Sequence, residues 1–155
     1  MKSLSTWVYL TVIASIVAAA PAQPATKDVS YRLEIQPSTV KLGAAILGKL
    51  VATNTSNHNI DLYVDTSGYA HPSGYTVYVR DAQGKAPGFK PSALVVIGSS
   101  ASKTLTPGEA TEFKVDVTNL YHIDKPGSYS IQVQKRNGKG KILVESNTVT
   151  MTVTP

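Results

Sequence analysis

From Tyr31 to Val153 the apolar residues of this chain fall on alternate positions, in one short run after another. Tyr31, Leu33 and Ile35 alternate with Arg32, Glu34 and Gln36, and Ile60, Leu62 and Val64 with Asp61, Tyr63 and Asp65. The same holds for Tyr75, Val77 and Val79, for Phe113, Val115 and Val117, for Tyr129, Ile131 and Val133, and for Val149, Met151 and Val153. A strand sends successive side chains to opposite faces, so a period of two marks strands with one buried face. Ile46 to Asn54 is a more continuous apolar strand, and Ala93 to Ile97 a short run able to pair. Gly, Pro, Asn and Asp punctuate the runs about every 8 to 12 residues, and none keeps helical periodicity for three turns. One helical turn or crossover is expected over Thr118 to Asp124. These features predict an all-β, antiparallel β-sandwich of about seven to nine strands. Leu33, Ile35, Leu50, Leu62, Val64, Val77, Val115, Ile131, Val133 and Val149 are its expected interior.

The chain has 155 residues, a one-domain length, and no cysteine. Its first 22 residues read as a secretory signal peptide: Lys2 is the positive start, Trp7 to Val17 an apolar run, and Ala20 and Ala22 a small-residue site with the cut before Gln23. The apolar run is shorter than the roughly 20 residues of a spanning helix, so no membrane span is expected. Residues 23–30 read as a disordered leader and 31–155 as the domain, secreted or periplasmic. Without cysteine neither a lipid anchor nor a disulfide framework is open, and the domain must rest on its core. The net charge is +5, with basic residues scattered among acids, which argues against nucleic acid as a partner. The dense exception is Lys135, Arg136, Lys139 and Lys141 around Asn137-Gly138, a basic hairpin turn.

Asp124-Lys125-Pro126-Gly127-Ser128-Tyr129-Ser130-Ile131 resembles the tyrosine corner of immunoglobulin-like domains, in which a tyrosine bonds back to upstream backbone. The resemblance implies structural roles for Asp124, Gly127 and Tyr129, and places Ile131 where antibodies carry a cysteine. Val40-Lys41-Leu42-Gly43, Arg80-Asp81-Ala82-Gln83-Gly84-Lys85, Leu105-Thr106-Pro107-Gly108-Glu109 and Ser146-Asn147-Thr148-Val149 extend it. Together they resemble the immunoglobulin-like accessory domains of secreted bacterial proteins, similar to those beside the catalytic domain of deuterolysin-type lysine-specific metallopeptidases. The chain has no H-E-x-x-H, so the likeness implies an accessory domain and not a protease.

Other chemistry finds little footing. His58, His71 and His122 lack metal-ligand spacing, no serine lies in G-x-S-x-G, and Gly138-Lys139-Gly140-Lys141 is not a phosphate loop. No cofactor is called for, and Asp61 and Asp65 read as a charged outer strand face rather than a catalytic pair. Asn54-Thr55-Ser56 is a glycosylation sequon. Tyr69, His71, Tyr78 and Arg80 form the candidate ligand-contact patch, since tyrosines offer flat apolar faces with polar tips. The expectation is a non-enzymatic exported binding or accessory module. Its partner would be another exported or envelope protein, or a glycan. The alternatives are a carbohydrate-binding or adhesin-like module using those aromatics, and an inhibitor of a secreted hydrolase presenting Ala86 to Pro91.

Overall fold

The computed structural model describes residues 28–65, 75–90, 100–136, 139 and 141–155, so the expected signal segment, most of the leader, Tyr69, His71 and Ala93 to Ile97 lie outside the described residues. The described chain is all-β apart from one helical turn. Three strands form the first sheet in the order β1 (Val29–Ile35), β3 (Leu47–Asn54), β8 (Ala110–Asp116), each antiparallel to its neighbour. Leu33 pairs Leu50, which pairs Phe113, so the period-two residues of three strands fall on one face. β1 begins two residues before the expected Tyr31, because Val29 pairs Asn54 at the far end of the ladder.

The second sheet is built around β10 (Gly127–Arg136), the longest strand among the described residues. β5 (Tyr75–Asp81) pairs one side of it along seven residues. On the other side β12 (Val149–Thr154) pairs its first half and β11 (Ile142–Glu145) its end, with β2 (Thr39–Lys41) beyond β12. The inward residues of both sheets belong to one core: Leu33, Ile35, Leu50, Ala52, Phe113 and Val115 from the first, Val40, Val77, Val79, Ile131, Val133, Met151 and Val153 from the second. Each such aliphatic side chain contributes about 1.5–3 kcal/mol, and no disulfide adds to it.

Three expectations need correction. β2 runs parallel to β12, where an antiparallel architecture was expected throughout. The two lie at opposite ends of the sequence, so no hairpin fixes their relative direction. Leu62 and Val149 are only partly buried, and the side chain of Val64 lies outside the described residues. Leu62 sits on β4 (Ile60–Asp65), whose partner is β7 (Ser100–Leu105), a two-stranded ribbon apart from both sheets. The Ala86 to Pro91 segment, which an inhibitor would present, is in part tied down, since β6 (Gly88–Phe89) pairs β9 (Tyr121–His122).

The ribbon resumes the partnership of β3 with β8: Thr53 pairs Ala110, and after a break Ile60 pairs Leu105. Asn54 organises the break. Its backbone N–H donates to the Glu109 carbonyl, and its carbonyl accepts from Gly108. Its buried side-chain amide donates to the carbonyls of His58 (2.8 Å) and Leu105 (2.9 Å) and accepts from the Ser56 N–H and hydroxyl. At 1 % exposure, with its Nδ2 committed twice, Asn54 is no acceptor for the sugar that its sequon would invite.

α1 (Val117–Leu120) is the expected single turn. The Asp116 carboxylate caps it, accepting from the Asn119 N–H at 2.9 Å, while Val117 and Leu120 are buried.

Candidate interaction surfaces

Of the patch read from sequence, the structure describes Tyr78 and Arg80; Tyr69 and His71 lie outside the described residues. Tyr78 and Arg80 share a face of β5 because they are two residues apart, opposite Gln132 and Ser130. Tyr78 is half-buried and Arg80 exposed. The Arg80 guanidinium donates to the Gly84 carbonyl at 2.8 Å, closing the turn whose other clasp is the Asp81 carboxylate, an acceptor for Gln83 and Lys85 N–H groups. Arg80 therefore has a local structural task. Tyr75, two residues before Val77, turns inward: its hydroxyl bonds that of Tyr31, its ring lies 6.4 Å from Phe113, and the Lys135 ammonium stands 5.1 Å over it. Burial and this bond push the Tyr31 phenol far above its ordinary value near 10, and burial raises Tyr75 too.

At the start of β10 the Tyr129 ring is buried and its hydroxyl donates to the Lys125 carbonyl, four residues upstream, at 2.8 Å. Gly127 between them takes φ +151°, which a side chain would resist. Burial first, then the carboxylates of Asp124 and Asp81, raise the Tyr129 phenol.

The basic hairpin is β10 turning into β11. Lys135 pairs Val144 but Arg136 pairs Ile142, so Leu143 is one residue too many for the ladder. Strict alternation would put Ile142 and Leu143 on opposite faces, one of them inward. With the shift, both are exposed, at 38 % and 43 %. Two adjacent large apolar side chains thus stand in solvent beside exposed Lys139 and Lys141, with Lys135 on the partner strand. The sequence marked the charges of this hairpin; the apolar pair was missed because β11 reads as an ordinary strand until the shift is seen.

At the other end, Lys41, Ile46, Lys90, Thr118, Tyr121 and His122 line a cleft of about 200 Å³. It is smaller than ordinary ligand pockets, and the Lys90 ammonium is taken up by the Thr118 carbonyl at 2.6 Å. The Lys90 N–H bonds the Leu120 carbonyl and Phe89 packs edge-on against Tyr121, so 88–90 is held down rather than projecting. His58 and His122 are exposed, and no three His, Asp or Glu among the described residues converge as metal ligands. Among them, too, no helix is long and apolar enough to cross a membrane.

No protein-family model and no curated protein matches this chain. Solved structures give low-identity likenesses. The alkylpurine DNA glycosylase AlkC of Pseudomonas fluorescens, bound to DNA, is 14 % identical with a TM-score of 0.45 over 83 % of this chain and 31 % of that one. A β-glucosidase of Listeria innocua in complex with glucose is 13 % identical, TM-score 0.43, over 82 % and 16 %. The sporulation control protein Spo0M of Bacillus subtilis is 12 % identical, TM-score 0.45, over 83 % and 50 %. The chain thus spans half or less of the length of each, and likeness at this level says nothing of activity.

Proposed function

We propose that this protein is an exported, non-enzymatic binding module with an immunoglobulin-like sandwich fold, and that it engages another exported or envelope protein through the β10–β11 hairpin. Several features support the fold: two sheets contributing to one core, and a buried tyrosine bonded to backbone four residues upstream. The signal-like first 22 residues support export. The observation that carries the binding role is the exposed pair Ile142 and Leu143 beside the exposed Lys139 and Lys141. An apolar centre with a charged rim is the anatomy of a protein interface: burial of the centre supplies affinity, and the rim supplies steering and selects an acidic partner.

The test is capture from the exported fraction with the wild-type protein and with Ile142→Ser/Leu143→Ser. The expected result is a partner retained by wild type and by Tyr78→Ala, lost with the double serine variant, and released as salt rises. Equal capture by the double variant refutes the hairpin as the interface. Loss with Tyr78→Ala alone would move the role to the β5 face.

A further inference from the structure

The cleft of about 200 Å³ that Lys41 and Lys90 help to line has two kinds of wall, and every residue lining it is among the described residues. The apolar wall comes from Ile46, Tyr121 and Val153, all members of the core. Their places follow from the fold: Val153 lies beside Val40 in the β2–β12 pair, and the Ile46 carbonyl accepts the Val117 N–H at the start of α1. The Tyr121 hydroxyl is committed to the Val77 carbonyl at 2.6 Å, so this side chain adds a ring and no free hydroxyl. The other wall is cationic. Lys41 lines it from β2 and Lys90 from the chain after β6, against one carboxylate, that of Asp124. Among the described residues no carboxylate lies within ion-pairing distance of either ammonium. The half-buried Lys90 donates to the Thr118 carbonyl at 2.6 Å, which occupies one of its three N–H groups.

A partly desolvated ammonium with only a neutral acceptor is held at a cost that an anion beside it would offset. The anion must be small, because the cleft lies below the size of ordinary ligand pockets. Sulfate or phosphate would use the two ammoniums and leave the apolar wall in contact with water. A neutral molecule would cover the wall and leave Lys90 without a counter-charge. One class of ligand answers both walls. We propose that this cleft binds a small organic carboxylate, its charged end on Lys41 and Lys90 and its short carbon chain against Ile46, Tyr121 and Val153. The end of a peptide chain carries the same group, but every residue before its last would have to leave so small a cleft.

The test is titration of the whole protein, at low ionic strength, with isovalerate, its neutral amide, sulfate and N-acetylglycylvaline, read by calorimetry and by amide chemical shifts. Isovalerate is expected to saturate one site in the millimolar range usual for so small a ligand, moving the Gly43, Thr118 and His122 amides. The neutral amide and sulfate should each bind about ten-fold more weakly, and the dipeptide no more tightly than isovalerate. Lys90→Met should weaken isovalerate about ten-fold and Lys41→Met about three-fold. Asp124→Asn removes the carboxylate that opposes the ligand and should tighten binding. That gain breaks neither the Lys90 bond to Thr118 nor the fold around it, so it keeps the test independent of a variant that fails to fold. Absence of saturable binding overturns the proposal, as do shifts confined to residues away from the cleft. So does an affinity that neither lysine change lowers and Asp124→Asn does not raise. Equal binding of sulfate or of the neutral amide overturns the carboxylate with a carbon chain, and tighter binding of the dipeptide overturns a free acid as the ligand.

Discussion

Asn147 does for β1 what a neighbouring strand would do. Its carboxamide accepts the Leu33 N–H at 2.8 Å and donates to the Leu33 carbonyl at 3.1 Å, the same pair of bonds a sheet partner exchanges. Ser146 beside it is buried, accepting the Val133 N–H at 3.0 Å and donating to the Asn147 carbonyl at 2.7 Å. One dipeptide thus ties the edge of the first sheet to the middle of the second. Asn147→Ala leaves both Leu33 groups without these partners and is expected to cost about 1 to 3 kcal/mol, read as a drop in urea midpoint with unchanged slope. Tyr129→Phe removes a single hydroxyl bond and should cost about 0.5 to 1.5 kcal/mol, while Tyr129→Ala empties a core position and should cost about 3 to 5 kcal/mol. Denaturant melts of the three proteins check this, and an Ala variant that melts with wild type would remove Tyr129 from the core.

Among the elements, β3 leaves no room beside β1 at Gly48, where an added Cβ would stand 2.5 Å from the Glu34 carbonyl oxygen and 2.9 Å from an Ile35 methylene. Neither neighbour is the free end of a flexible chain, so Gly48→Ala should force β1 outward at a cost of about 1 to 3 kcal/mol. Thermal melting checks it, and an unchanged Tm would mean the ladder yields easily there. The strands with clean alternation, β1, β5, β8, β10 and β12, were legible in the sequence because burying one face demands that pattern. β7 (SASKTL) was not, because a strand in a two-stranded ribbon has little core to face and keeps almost no apolar signature. β2, with three residues, and β6 and β9, with two each, are too short to show a period at all. For the same reason Asn54 and Asn147 read only as turn residues: their bonds depend on carbonyls 51 and 114 positions away. The basic half of the β10–β11 hairpin was visible in composition, but its exposed apolar half follows from a register shift that no pattern announces.

For the molecule as a whole, four tyrosines, two of them bonded to each other, share one electrostatic condition. Burial raises the phenols of Tyr31, Tyr75, Tyr121 and Tyr129 above their ordinary value near 10. In the unfolded chain each phenol gives up its proton at about pH 10, while the folded chain still holds it, so above that pH the native state binds more protons. Stability is therefore full below about pH 10 and falls as pH rises through the folded values. Urea midpoints at about pH 9 and pH 11 should show the loss, and Tyr31→Phe should narrow it; equal midpoints would contradict it. The parallel pair at the chain's two ends has a consequence of another kind. Val40 lies beside Val153, and the Leu42 N–H to Thr154 carbonyl and Thr152 N–H to Ser38 carbonyl bonds, 2.8 Å each, fasten β2 along β12. Tension drawn between the start of β2 and the end of β12 slides these strands past each other, so the bonds bear the load together rather than opening in turn. Pulled from those two points, the domain is mechanically clamped in shear along the β2–β12 pair.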